Sequence, residues 1–357
     1  MRSVVPIPGA LLAALLLASA LEAEPIANGF DLGSAKVPAK EIVAGGPDRD
    51  GIRSVDAPAW AAVAEASAWV APSNPVIGVR VGDEARTVPL HLIEYHQIVN
   101  AKVGGQPVAI SYDPLTGTPR VFVRRVGERV LELGVSGLVY NGSFLMYDRQ
   151  TESLWLHYTG EAIAGPLAGE RPERQRVRLE PLATWLSRNP EASVLGRPLP
   201  KKIDYRYSPF STYLASDEIP FPVKARDDAH HPKEMVLGVA TDGTTRAYLS
   251  SAVVAAGGRV QDQVEGHAIE LVYDVDEAVF SWEAPAELRV SEGFWFAWKA
   301  FHPDTEIWEP AAQAEVLDGP EGAGGGPARA VAERRPGEAL RQGRGAGSAS
   351  AESRSGS

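Results

Sequence analysis

Apolar and polar positions alternate along much of the chain from residue 76 onward, which is the period of a strand with one buried face. Turn residues separate the alternating runs, so neighbouring runs predict β-hairpins. The runs are 76–81, 85–88, 97–103, 107–112, 121–126, 129–135, 138–147 and 154–158. Helical patterns are short, at 59–69, 90–96 and 181–189. We therefore predict an α+β fold that is predominantly β, with antiparallel hairpins and few short helices.

An internal repeat relates the first two hairpins to a later part of the chain. The matching pairs are VIGV at 76–79 with VLGV at 236–239, Arg86 with Arg246, and VNAKVGGQPVAISYD at 99–113 with VQDQVEGHAIELVYD at 260–274. Each copy alone has too few strands to bury a face. This agreement predicts a pseudo-repeat, with copies at about 76–113 and 236–274 that share one core. Farther on, the aromatic run GFWFAWKAF at 293–301 has the alternation of a strand that is apolar on both faces.

The two ends of the chain differ from the middle. Arg2, the apolar run 10–21 and small residues before position 24 have the pattern of an export signal, with cleavage near Leu21 or Glu24. We expect residues 1–23 to be a signal peptide and the protein to be periplasmic or secreted. Residues 318–357 contain no aromatic side chain and predict a disordered tail. A single β-rich domain at 24–317 remains.

Charge and cysteine content exclude several classes of function. The net charge of -11 argues against nucleic-acid binding, and no second apolar run is long enough to span a membrane. Because the chain has no cysteine, iron–sulfur clusters and cysteine-ligated metals are excluded. No phosphate loop, nucleophile elbow, zinc-protease or dinucleotide motif occurs. The cofactor and the small ligand stay unknown at this stage.

The best candidate site follows the strand at 108–112, where Asp113-Pro114 breaks the alternation before Thr116-Gly117. Asp113 is either a general base or hard-metal ligand, or the residue that starts a turn. His96 is either a functional histidine, able to share a metal with Asp113, or a satisfied buried side chain. Thr116 adds a hydroxyl to the same loop.

A second polar group interrupts the apolar runs between 138 and 158. Asp148, Arg149 and Glu152 either line a ligand pocket or form a structural cluster of ion pairs and caps. The pair His230-His231 ends a proline-rich stretch at 210–232 and fits a solvated linker better than a metal site, because the other ligands are missing.

Several long stretches of the chain resemble one family. They are GGPDRDGIRSVDAP at 45–58, VIGVRVGDEARTVPLHLIEYHQIVN at 76–100, ISYDPLTGTP at 110–119, GVSGLVYNGSFLMYDRQTESLW at 134–155, TGEAIAGPLAG at 159–169, TWLSRNPEASVL at 184–195 and FWFAWKAFHPDT at 294–305. On these stretches the chain resembles DUF3179, a family of exported bacterial proteins of unknown function.

The resemblance implies an exported β-rich domain, and in many members a Cys-Pro-x-Cys-Gly-like motif, with selenocysteine in some. That motif suggests thiol redox or soft-metal chemistry. Here the same positions hold Asp113 and Thr116, so both sulfur atoms are missing. The resemblance also implies that His96 matches a histidine of the family pattern. An Asn-Asp pair of the family is altered here, because Ala101 follows Asn100. Two hypotheses follow: a small-ligand or metal binding module without turnover, or an acid–base or metal-assisted enzyme that uses His96 with Asp113 or Asp148.

Overall fold

The computed structural model describes residues 26–196 and 203–310. The expected signal peptide at 1–23 and the expected tail at 318–357 lie outside these residues. Within the described ranges, the longest helices have seven residues, and no helix is long and apolar enough to cross a membrane.

Short strands greatly outnumber helices in the described residues, which confirms the prediction of a predominantly β fold with few short helices. The strands are β1 (Ile26–Ala27), β2 (Phe30–Asp31), β3 (Ile42–Ala44), β4 (Trp60–Ala61), β5 (Pro75–Val81), β6 (Glu84–Pro89), β7 (Ile98–Val103), β8 (Gln106–Asp113), β9 (Thr118–Val123), β10 (Arg125–Val126), β11 (Arg129–Val130), β12 (Leu133–Tyr140), β13 (Ser143–Asp148), β14 (Leu154–Leu156), β15 (Ala162–Ala164), β16 (Arg174–Gln175), β17 (Arg178–Pro181), β18 (Ser193–Leu195), β19 (Met235–Ala240), β20 (Thr245–Leu249), β21 (Arg259–Val264), β22 (His267–Asp274), β23 (Val279–Glu283), β24 (Arg289–Phe294) and β25 (Glu306–Ile307). The helices are α1 (Val63–Ala66), α2 (Leu90–Ile93), α3 (Leu182–Arg188), α4 (Ser211–Leu214), α5 (Ser250–Ala255) and α6 (Trp295–Phe301), with a 3-10 turn at Ala39–Glu41.

Two parts of the chain have the same strand order. The first unit comprises strands β5–β9 with β17 and β18, and the second unit comprises strands β19–β25. In the first unit the sheet runs β17-β5-β6-β18 and continues to β4, and in the second unit it runs β24-β19-β20-β25. In both sheets the last of these four strands is parallel to its neighbour, and the register places Arg86 opposite Ser193 and Arg246 opposite Glu306. Each unit also contains an antiparallel three-stranded meander, β7-β8-β9 in the first and β21-β22-β23 in the second. The matching elements thus extend well beyond the two hairpins recognised in the sequence.

A glycine and a tryptophan occupy equivalent places in the two units. A Cβ atom at Gly78 would overlap the ring of Trp185 on α3, and a Cβ atom at Gly238 would overlap the ring of Trp298 on α6. Each glycine therefore lets a helix pack directly on its sheet. This contact explains why residues 295–301 form a helix rather than the strand predicted from their alternation: Trp295 and Trp298 are three apart and both are buried.

A long insertion separates β9 from β17 in the first unit. It contributes most of a five-stranded sheet of order β15-β14-β13-β12-β3, which faces the sheet β16-β9-β8-β7. Side chains from both sheets form one buried cluster: Ile98, Ala109, Phe122, Leu131, Leu133, Val135, Phe144, Met146, Trp155 and Ala162. The continuous strand predicted at 138–147 is wrong, because Asn141 and Gly142 both have positive φ and turn the chain between β12 and β13.

The contacts between the two units are reciprocal. Strand β17 of the first unit contacts β23 of the second, and β24 of the second contacts β9 of the first. Because β17 and β24, and likewise β9 and β23, hold matching places in the strand orders of the two units, each of these contacts has a counterpart in the other. The buried apolar residues form several clusters rather than one, and Val279 of the second unit packs into a cluster of the first.

Candidate functional site

The loop between β8 and β9 is held by distant parts of the molecule. All of its residues from Asp113 to Thr118 are buried except Leu115, which is half-buried. The backbone amide of Phe294, at the end of β24, donates to the Thr116 carbonyl at 2.8 Å. The Tyr213 hydroxyl on α4 donates to the Leu115 carbonyl at 2.6 Å. The loop therefore connects the first unit to the second unit and to the segment between them.

Asp113 is fully buried and its carboxylate is surrounded by donors. One oxygen accepts hydrogen bonds from the Ser143 hydroxyl at 2.9 Å and the Phe144 amide at 3.1 Å, and the other accepts from the Leu115 amide at 3.0 Å. Burial raises the pKa of Asp113, and these hydrogen bonds act in the opposite direction. Asp113 is thus both the first residue of a turn and the link between β8 and β13.

His157, which the sequence analysis did not select, lies beside this carboxylate. Its Nδ1 atom is 4.0 Å from the Asp113 carboxylate and 3.5 Å from the Thr118 hydroxyl, which in turn lies 2.7 Å from the Thr116 hydroxyl. We refer to Asp113, Thr116, Thr118, Ser143 and His157 as the Asp113 cluster. In the sequence, only the place of His157 sets it apart: it directly follows the apolar strand β14 and lies between two stretches that carry the family resemblance.

The environment of the His157 ring is apolar. Phe144 stacks on the ring with centroids 4.8 Å apart, and Phe122 meets it edge-on at 6.2 Å. Burial, followed by the positive charge of Arg120, lowers the pKa of His157 well below its usual value, so the ring is neutral at physiological pH. Its Nε2 atom is buried and has no hydrogen-bond partner. Such an orphaned polar atom is rare and calls for an explanation.

His96 lies elsewhere in the first unit and has its own partners. Its Nδ1 atom lies 2.7 Å from the Arg53 carbonyl, and its Nε2 atom lies 2.9 Å from the Tyr205 hydroxyl. Burial lowers the pKa of His96 as well. A metal ion could bind His96 only by displacing one of these two partners.

The three polar residues proposed between 148 and 152 point in different directions. Asp148 is fully buried and accepts hydrogen bonds from the Thr151 amide at 2.6 Å and the Trp155 indole at 3.0 Å. Arg149 points to the surface, and Glu152 pairs with Arg49 at 2.8 Å. Asp148 therefore organises a turn and does not share a pocket with the other two residues.

Arg149 joins the insertion to the segment before β4. It contacts both carboxylate oxygens of Asp50, at 2.7 and 3.1 Å, and lies 3.7 Å from the carboxylate of Asp56. The Tyr147 hydroxyl donates to Asp50 at 2.5 Å. The hydrogen bond with Asp50 raises the pKa of Arg149. Burial acts to raise the pKa of Asp50, but the hydrogen bonds from Arg149 and Tyr147, together with the positive charge of Arg149, outweigh burial and lower that pKa. The carboxylates around Arg149 already occupy the positions that an anionic ligand would need.

The described residues contain no metal cluster, and their best-formed cavities are small. Across residues 26–196 and 203–310, no three side chains of His, Asp or Glu converge in a way that could hold a metal ion. The two best-formed cavities in these ranges have room for no more than about one water molecule. The soft-metal or thiol chemistry implied by the family motif does not fit Asp113 and Thr116, which offer oxygen atoms already engaged in hydrogen bonds.

Comparison with known proteins agrees with the resemblance seen in the sequence. The family model described as "Protein of unknown function (DUF3179)" matches residues 49–285, which is more than half of the chain. No curated protein and no solved structure matches the chain. The matched range covers the first unit, the insertion and most of the second unit, and the Asp113 cluster lies within it. The chain therefore belongs to the DUF3179 family.

Proposed function

We propose that the protein is an exported binding module that holds an ion-sized ligand at the Asp113 cluster without turning it over. The observation that supports this function is the unpartnered Nε2 atom of His157. The Asp113 carboxylate lies 4.0 Å from Nδ1, beyond hydrogen-bond distance, and its negative charge favours the proton on Nδ1, which leaves the Nε2 lone pair free. An imidazole nitrogen backed by a carboxylate is a common arrangement for binding zinc, copper or nickel.

Two further features favour binding over catalysis. The Asp113 oxygens already accept hydrogen bonds from Ser143, Phe144 and Leu115, so this carboxylate is not free to take a proton from a substrate. The whole cluster is also buried, and the two best-formed cavities among the described residues, one of them lined by Thr118, have room for no more than about one water molecule. An ion would take His157 as its imidazole ligand, with no further His, Asp or Glu side chains converging on it among the described residues.

Titration with Zn²⁺, Cu²⁺ and Ni²⁺, each alone, tests this function. We expect one of these ions to bind stoichiometrically and to raise the melting temperature of the wild-type protein, because a ligand that binds only the folded state stabilises it. His157→Phe keeps an aromatic ring between Phe122 and Phe144 and should lose the effect. His231→Gln, in the segment before β19, is the matched control and should keep it, since His231 pairs with exposed Asp217.

Two results would contradict the binding function. One is the absence of any thermal shift with all three ions, together with native mass spectra of freshly purified protein that show no bound species. The other is full retention of the shift in His157→Phe, which would place the ion elsewhere.

A second candidate function is acid–base catalysis, now with His157 rather than His96 as the base. The same free Nε2 atom favours it, with the Asp113 carboxylate 4.0 Å from Nδ1, although no hydrogen bond joins the two groups as it does in a catalytic triad. Turnover of a substrate with a pH dependence that His157→Phe abolishes would support this alternative over simple binding.

Export remains a proposal and rests on the pattern at residues 1–23. We expect the mature chain to begin near Leu21 or Glu24. N-terminal sequencing of protein recovered from the periplasm or the medium tests this expectation. An intact Met1 on protein from the cytoplasm would contradict it.

We also infer that the two units are copies of one ancestral repeat. The support is the common strand order, the parallel pairing of β18 and β25 at equivalent registers, and the matched pairs of Gly78 with Trp185 and Gly238 with Trp298. In this alignment Asp113 and Asp274 are equivalent, which makes Asp274 a natural reference for experiments on the Asp113 cluster.

A further inference from the structure

Strand β7 of the first unit has an outer edge, facing away from β8, that another part of the chain covers. Val55 lies along this edge in a bridge that is parallel to β7. The Val55 amide donates to the Ile98 carbonyl at 2.9 Å, and the Val55 carbonyl accepts from the Asn100 amide at 2.8 Å. The Val55 side chain is buried in an apolar cluster of the first unit. This edge therefore accepts an extended segment that carries one apolar side chain.

The equivalent edge of the second unit, on strand β21, has no such cover. In the alignment of the two copies, Arg259 takes the place of Ile98 and Gln261 takes the place of Asn100, and β21 pairs with β22 in the register that β7 has with β8. The Arg259 carbonyl and the Gln261 amide therefore face outward. Outside the ladder with β22, no group in the described part of the chain bonds to either of them.

An exposed apolar side chain lies on the helix that packs against β21. Val254 on α5 is 44% exposed, whereas Glu94, at the equivalent place in the first unit, is buried. One end of the β21 edge is closed, because the Gln263 carbonyl accepts from Arg246 at 3.1 Å, but its middle is open. Folded proteins normally cover or blunt an open strand edge, since its unpaired backbone groups can bind another strand.

The described residues end close to this edge. Arg246 contacts Glu306, the first residue of β25, at 2.8 Å, and it also contacts Asp262 on β21 at 2.9 Å. The last described residue is Pro310, and Val316 follows six positions later. Six extended residues span up to about 20 Å, so the chain beyond Pro310 is long enough to reach the middle of β21.

We propose that residues 313–317 of the same chain add to the outer edge of β21 as a further strand, with Val316 in the place that Val55 has in the first unit. The sequence of this segment, QAEVL, alternates polar and apolar residues up to Val316, which is the period of a strand with one buried face. Val316-Leu317 is also the only pair of adjacent branched apolar residues after Pro310. The inference does not depend on the function proposed for the Asp113 cluster.

Hydrogen exchange at the Gln261 amide of the whole protein tests the proposal. We expect this amide to be protected in the wild type and to exchange about tenfold faster in Val316→Asp, because a charge in the apolar place disfavours docking. Val331→Asp adds the same charge farther along the chain and is the matched control, and Val316→Ile keeps a branched apolar side chain. Both should exchange at Gln261 as slowly as the wild type does.

The Val260 amide serves as an internal reference, because it points to β22 and should stay protected in every variant that keeps the second unit folded. The proposal is overturned if Gln261 exchanges as fast in the wild type as an unstructured amide does, or equally slowly in the wild type and Val316→Asp. Protection of Gln261 that is lost on dilution, together with a dimer in light scattering, would assign the edge to a second copy of the chain and would also overturn it.

Discussion

Asp113→Ala is expected to destabilise the protein by about 4 kcal/mol. The substitution leaves the Ser143 hydroxyl and the amides of Phe144 and Leu115 without their acceptor in a fully buried place. Each unsatisfied buried donor costs about 1–3 kcal/mol, and the three are close enough for their effects to overlap. Urea unfolding of the two proteins at pH 7 measures the difference.

Asp274→Ala is the control for this experiment. Asp274 ends β22 as Asp113 ends β8, and it accepts hydrogen bonds from the amides of Asp276 and Glu277. Because Asp274 is exposed, water can replace those bonds, and we expect a loss of about 1 kcal/mol or less. Equal losses for the two variants would show that Asp113 is an ordinary turn residue and that the contacts across β13 contribute little.

Glu292→Gln is expected to remove a large pH dependence from the stability of the protein. Glu292 is buried where β24 meets β9, with one oxygen bonded to the Trp282 indole at 2.9 Å and the other without a partner. Burial, with a smaller effect from Glu180, raises its pKa from 4.5 to about 8, and Arg178 and Arg120 oppose this shift.

The sign of the effect follows from the raised pKa. Below about pH 4.5 the carboxyl is protonated in both folded and unfolded chains, and the folded state pays no penalty. As the pH rises from 4.5 to 8 only the unfolded chain loses its proton, so stability falls by on the order of 5 kcal/mol and then levels off. A glutamine cannot ionise, and its variant should lack this fall.

Unfolding free energies measured from pH 4.5 to 9 test this prediction. Glu94→Gln is the matched control. Burial raises the pKa of Glu94 to about 7, so the fall in stability that Glu94 causes should level off about one pH unit below the fall that Glu292 causes. If the difference between wild type and Glu292→Gln is the same at pH 5 and pH 8.5, the carboxyl is not held protonated in the folded state.

Asp113 and Thr116 stand where the family resemblance implies a sulfur motif, and they lie at the junction of the first unit, the insertion and the second unit. Their oxygen atoms are engaged in hydrogen bonds with Ser143, Phe144 and Thr118. In this chain the loop is therefore held by internal hydrogen bonds.

The candidate site was only partly accessible to sequence reasoning. The Asp-Pro-x-x-Gly pattern identified the turn at Asp113, and the family stretches identified its surroundings. His157 could not be paired with Asp113, because the two residues lie on separate strands that only the packing of two sheets brings together. The family resemblance and the nearby central hairpin pointed to His96 instead, whereas its nitrogen atoms face Arg53 and Tyr205.

Local patterns in the sequence determined the β-rich class, the two hairpins of each unit and the turn at Asp113, because alternation and turn residues act over a few neighbouring positions. Tertiary contacts decided the rest. The helix at Trp295–Phe301 exists because Trp298 packs on Gly238, and the pairing of β18 and β25 with distant strands has no local signature. The whole fold also decided that Asp113 is a buried internal link and that half-buried Arg149 is enclosed by carboxylates.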